Sequence, residues 1–202
     1  MVRSTGSDAL ATVHSTWSRS FEWQQSGGGG ERTACDNCHM SPVSFDQLPE
    51  DARLWIFAAE RPLEERERDR VLEVVDGFIS QWSAHNRPLT TARDLRYDQF
   101  LFVAVDERAA GASGCSVDAL VREMKGLQAD LGIELVNHAP VLYRDGDSIA
   151  RVAREHFAEL AEGGQVSKQT VVFDDTVTTV GAVRDGRWEL PADESWHGRA
   201  FF

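Results

Sequence analysis

Lysine is almost missing from this chain: of 21 basic residues only Lys125 and Lys168 are lysines, and the rest are arginines. Acids outnumber bases 33 to 21, for a formal net charge of −12. A surface this negative repels phosphate backbones, so nucleic acid is not an expected partner. Acid-rich, lysine-poor composition suits a salty cytoplasm, and arginine in place of lysine also follows from a GC-rich genome. No run of about 18 apolar residues exists to span a bilayer, and the first residues lack the apolar stretch of a secretory signal. A cytoplasmic location is the expectation. Cysteine is scarce too. Cys35, Cys38 and Cys115 are too few for a disulfide scaffold and are read as reduced thiols. Neither a G-x-x-x-x-G-K-[ST] loop nor a G-x-G-x-x-G turn between strand and helix occurs, which excludes nucleotide hydrolysis of the P-loop type.

Residues 1–39 hold Ser/Thr clusters, the tract Gly27–Gly30 and isolated aromatics without a sustained period. Such a segment cannot bury enough apolar surface to offset its ordering entropy and is expected to be disordered. It contains Cys35-Asp36-Asn37-Cys38-His39, the C-x-x-C-H spacing of c-type haem attachment. Haem is not expected, because that attachment takes place outside the cytoplasm. A zinc site from Cys35, Cys38, His39 and His14 lacks the second well-spaced pair that zinc sites use. Neither metal nor cofactor is therefore expected. Met40 follows at once, and organised sequence begins there, so residues 1–39 read as an over-extended gene start and 40–202 as one α+β domain.

From Met40 onward the hydrophobic pattern alternates between strand and helix. Leu54–Ala59 is a continuous apolar run, read as an interior strand. Leu63 to about Ala84 is helical, with Val71, Val75, Phe78 and Trp82 along one stripe. Leu89–Tyr97 and Phe100–Val105 read as strands. Ser116 is expected to cap a helix from Val117 to Leu131 that Gly132 ends. Ile133–Val136 and Val141–Tyr143 are short strand candidates. Ser148 is expected to cap a third helix running to about Ala161, and Thr170–Phe173 is a further strand. Thr179 is placed as the cap of a short helix, in preference to a hairpin over Asp185-Gly186. The first six elements, β-α-β-β-α-β, give a ferredoxin-like split β-α-β sandwich with helices on one face of an antiparallel sheet, followed by an added helix, strand and aromatic tail.

The best candidate site is Ala112 to Asp118, between the central strand and the second helix. Helix-terminal N–H groups converge there and favour an anion or a thiolate. Ser113, Gly114, Ser116 and Asp118 are the candidate ligand-binding residues. Cys115 is the candidate nucleophile or redox-sensing thiol, with His85 as base and Asp106 orienting it. The competing reading makes Cys115 a small packed residue, since free cysteines are among the most buried types. The aromatic C-terminus, Trp188 to Phe202, either docks on the domain or forms a homodimer contact.

Phe45-Asp46-Gln47-Leu48-Pro49, Ala52–Phe57, Gln81–His85, Ser113–Asp118 and Asp193–His197 together resemble a family of small bacterial proteins catalogued as "ABC transporter ATPase". The resemblance spans almost all of 40–202 and implies a cytosolic protein, without assigning catalytic residues. The chain lacks what that name requires: it has no P-loop and no LSGGQ-like signature, and it is too short for the ATPase fold. Three functions follow as expectations. The first is a non-catalytic binding or assembly domain, the second a thiol-dependent enzyme or redox sensor at Cys115, and the third an accessory protein beside a transporter. Peptide mapping of the protein from its native host tests the reading of the start: coverage is expected to begin at Met40, and a peptide from residues 1–39 would rule the false start out.

Overall fold

The computed structural model describes residues 42–108 and 111–202; residues 1–39, with the expectation of disorder and the C-x-x-C-H motif, and Met40 lie outside the described residues. The architecture is α+β. Its centre is β5 (Phe100–Asp106), which pairs antiparallel with β1 (Arg53–Ala58) on one side and with β4 (Thr90–Arg96) on the other. The order β1-β5-β4 leaves β1 and β4 parallel to one another, and α1 (Glu65–Gln81) lies between them in sequence.

Every β5 residue from Phe100 to Val105 is buried. Alternation along the strand sends Leu101, Val103 and Val105 to one face and Phe100, Phe102 and Ala104 to the other. The first set packs under α1 and α2 (Gly114–Leu131), against Val71, Val75, Ile79, Leu120, Met124 and Leu127. The second set meets Leu142, Phe173, Val180, Val183 and Trp188. Helices were expected on one face only; the other face is not open but covered by a second antiparallel sheet.

That sheet contains β6 (Val141–Asp145), β7 (Ser148–Val152), β8 (Val171–Phe173) and β9 (Glu189–Pro191), in the order β7-β6-β8-β9. Leu142 and Phe173 point inward. Val141, Tyr143, Val172 and Leu190 point outward, under α3 (Arg154–Glu162) and α5 (Trp196–Phe201), with Phe157 at the centre. The layers therefore run helix, sheet, sheet, helix. The short α4 (Val180–Arg184) is capped by Thr179, whose Oγ1 accepts the Ala182 N–H, as the sequence predicts. Its Arg184 donates to the carbonyls of Phe45, Asp46 and Leu48, fixing the lead-in to β1.

Two expected elements differ. Ser148–Val152 is a strand rather than the start of the third helix, which begins at Arg154. Asp145 and Ser148 pair across a two-residue turn in which Gly146 takes φ +59°, and Ser148 Oγ donates to Asp145 O instead of capping. Glycine-aspartate between apolar stretches, with glycine at the first loop position, is a hairpin signal, and it outweighs the short helical spacing of Ile149 and Val152. Ile133–Val136 forms no strand. Ile133 and Leu135 are buried in the helix-side core, while Gln128 Oε1 accepts the N–H groups of both Leu135 and Val136. The edge of β1 that this segment would have paired with is met by other residues: Leu54 N–H donates to Thr178 O and Val180 N–H to Ala52 O, at 2.8 and 3.0 Å.

The C-terminal aromatics dock on the chain itself. Trp188 sits about 5 Å from the rings of Phe100, Phe102 and Phe173, and Phe201 packs on Phe157 at 5.1 Å. The packing around this tail leaves no room at Gly198, where an added Cβ would lie 2.7 Å from Ala192 O and Asp193 Cα. Gly126, within α2, has nothing within 4 Å of the same position. Urea unfolding is expected to show Gly126→Ala stabilising the protein by about 0.5–1 kcal/mol through helix propensity, and Gly198→Ala destabilising it by about 1–3 kcal/mol through overpacking. Equal effects from the two would contradict the tail docking.

Candidate functional site

The largest cleft among the described residues, about 1040 Å³, opens between α1, the start of α2 and the short hairpin that joins α1 to β4. Helix α1 ends at Gln81 because Trp82 turns to extended backbone (φ −68°, ψ 121°). The hairpin consists of β2 (Ser83–Ala84) and β3 (Arg87–Pro88), and Leu89 N–H donates to Trp82 O at its base. At its tip His85 and Asn86 both hold positive φ, 51° and 60°. Two left-handed residues are what a tight two-residue hairpin needs; asparagine adopts that region readily and histidine less often. The hydrophobic pattern ends the helix at about Ala84 and gives no hairpin after it; Asn86, two residues before a proline, is the signal for one.

Trp82 links the two helices. Its indole Nε1 donates to Ser116 O at 3.0 Å in a buried position, and its ring packs on Phe78 and Trp55 at 5.2 and 5.7 Å. Facing it, Ser113 caps α2: Ser113 Oγ accepts the Ser116 N–H, and Ser116 Oγ donates to Ser113 O at 2.8 Å. The cap is thus Ser113 and not Ser116, because Gly114 and Cys115 already have helical backbone.

Of the residues named from sequence, Cys115, His85, Ser113, Gly114 and Ser116 all line this one cleft. Cys115 is an exposed free thiol, which overturns the packed-residue reading. A cysteine in the first turn of a helix has no core to enter when Ser116 takes the inward position. No hydrogen bond joins Cys115 to His85. Asp106 is not part of the cleft. At the end of β5 its carboxylate is held by the Arg108 guanidinium at 2.7–3.1 Å, which keeps its pKa below the ordinary value. The Cys115–His85–Asp106 triad is therefore not assembled. Asp118 is exposed and lies outside the lining. Among the described residues, no three His, Cys, Asp or Glu side chains are grouped to hold a metal ion.

No family model matches the chain, and no curated protein or solved structure matches it. The candidate site stands on its own geometry.

A second pair with catalytic residue types was missed in the sequence. Ser195 Oγ lies 2.9 Å from His197 Nδ1 and also accepts the His197 N–H at 3.2 Å. Both residues are buried, His197 to 1% exposure, and Ser195 Oγ donates its proton to Ala192 O at 3.0 Å rather than to the imidazole; the pair caps α5 and locks the tail. Burial lowers the His197 pKa to about 4, against the pull of Asp174 and Asp175. In the unfolded chain histidine takes its proton near 6.5. Between these two values the unfolded chain holds the extra proton, so stability is full above pH 6.5 and falls on acidification. His138 acts with opposite sign. Its hydrogen bond to Asp175 raises its pKa, giving stability that is present below 6.5 and lost as pH rises through the raised value. Urea midpoints are expected to lose about 2 kcal/mol from His197 between pH 7.5 and pH 5, and His197→Gln should remove that part of the slope. An unchanged slope in the variant would show that His197 is not held neutral.

Proposed function

We propose that this chain is a non-catalytic binding domain whose ligand surface is the cleft between α1 and α2. The observation that carries the reading is the composition of that cleft. It joins an apolar wall of Val74, Phe78, Trp82 and Ala84 to a rim of polar side chains, which is how ligand sites are commonly built. The group that would orient a catalytic histidine, Asp106, is engaged by Arg108 elsewhere. The ferredoxin-like reading is supported by the first half, where a helix connects two parallel strands with β5 between them; the missing strand after α2 limits it to that half. The C-terminal aromatics give a homodimer less to bury than their sequence suggests, because Trp188 is covered and Phe201 packs within the chain, while Phe202 is exposed. No helix among the described residues is long and apolar enough to cross a membrane.

A second reading, a thiol-dependent enzyme or sensor, draws support from the exposure of Cys115 in a cleft it shares with His85. Alkylation kinetics separate the two. Mass-mapped iodoacetamide labelling is expected to reach Cys115 fully without denaturant. At pH 6–7 its rate should not exceed that of a small free thiol, and His85→Ala should leave it unchanged. A faster reaction that His85→Ala abolishes would replace the binding domain by the thiol-dependent function.

A further inference from the structure

We infer that the cleft selects an organic cation with an apolar or aromatic body; the inference rests on the binding-domain reading and adds the ligand's chemical class. Three charged side chains line it: Arg70, Glu73 and Glu123. Arg70 is already committed, with its guanidinium on Glu73 at 3.1 Å and on Asp130 at 3.1 Å. These contacts set two carboxylates against the one guanidinium, so Arg70 adds no net positive charge to the cleft. Glu123 has no ion-pair partner among the described residues. The lining therefore offers one uncommitted charge, and it is negative. Half-buried Phe78 supplies aromatic surface in the same cleft, backed by the buried Trp82 ring that packs on it, and aromatic faces attract cations through their quadrupole. Trp82 is held in place by its Nε1–H bond to Ser116 O, so that surface is set before a ligand arrives. The chain's net charge of −12 raises the local concentration of cations and lowers that of anions.

The one feature favouring an anion is the start of α2, and there the Ser113 side chain and carbonyl already take the Ser116 N–H and hydroxyl. Gly114 and Cys115 at the start of this helix are moreover exposed to solvent, whereas Phe78 is half-buried. An ammonium or guanidinium group facing Glu123, with its hydrocarbon portion against Phe78 and Trp82, uses each of these features. A neutral ligand leaves the carboxylate idle, and an anionic one opposes it.

The test uses the full chain at low salt and three probes of one shape class: benzyltrimethylammonium, benzyl alcohol and phenylmethanesulfonate. Binding is read by calorimetry, and occupancy of the cleft by slowed alkylation of Cys115. The ammonium is expected to bind roughly tenfold more tightly than the alcohol, a size of effect reasonable for a cation on an aromatic face beside a carboxylate. The sulfonate should show no measurable binding. Glu123→Gln, an exposed change that does not threaten the fold, should weaken the ammonium about fivefold and leave the alcohol unaltered. Phe78→Leu should weaken both. Equal binding of ammonium and alcohol, or preference for the sulfonate, would overturn the cation selectivity while leaving a binding cleft. If no probe binds or protects Cys115, both the selectivity and the binding-domain reading fall.

Discussion

Because β5 is buried on both faces, the first sheet must be covered twice, and most of the architecture follows from that requirement. Phe100, Phe102 and Ala104 present an apolar surface that α1 and α2 cannot reach, since those helices already lie over Leu101, Val103 and Val105. The second sheet meets this surface with Leu142 and Phe173, and Trp188 fills the space between them. Facing another layer inward, β6 and β8 still carry apolar residues outward, at Val141, Tyr143 and Val172. These need a cover of their own, which Phe157 of α3 and Phe201 of α5 provide. Each layer solves the exposure left by the one before it, and the sequence of covers ends where helices turn a polar face to solvent.

The cleft is a consequence of the same packing. Helices α1 and α2 share the upper face of one three-stranded sheet, and they diverge where α1 gives way to a hairpin before β4 begins. At that point the Trp82 indole bridges to the first turn of α2. A side chain that is apolar over most of its surface and carries one N–H donor suits this role: the ring closes the core on Phe78 and Trp55, while the donor satisfies a carbonyl at the helix start. The floor of the cleft is thereby fixed, and the residues around it, including Cys115 and His85, are presented on the ends of rigid elements.

Much of this was readable from sequence where one physical signal stood alone. The run Phe100–Val105 could only be an interior strand. The stripe of Val71, Val75 and Phe78 gave α1, and Thr179 announced α4. The reading failed where two signals competed over a few residues. Ile149 and Val152 fit a helical spacing, but Gly146-Asp147 made a hairpin that pairs Ser148–Val152 with β6, and the helix begins only at Arg154. At Ile133–Val136 the apolar alternation was real and reflected burial, yet burial does not require a strand when Gln128 can satisfy the backbone. At the site, His85 and Cys115 line one cleft because the hairpin after α1 and the start of α2 lie over the same sheet face. Asp106 failed because a carboxylate two residues from an arginine has a nearer partner, a local pairing that a tertiary triad would have had to break.

Buried His197 and exposed His138 show how one sheet can carry opposite electrostatic demands. Asp174 and Asp175 follow β8 directly, and both raise the proton affinity of His197, while Asp175 binds His138. His138 gains a proton readily because its partner is in contact and part of its ring meets water. His197 resists protonation because the same carboxylates act on it without a hydrogen bond, while burial removes the solvent that would stabilise a cation and Arg154 adds repulsion. Distance and hydration decide the sign, not the identity of the neighbouring acids. The pair of Ser195 and His197 therefore has the composition of a catalytic dyad and the environment of a helix cap. The same comparison separates this covered pair from the α1–α2 cleft, where the Cys115 thiol and the Glu123 carboxylate are open to solvent.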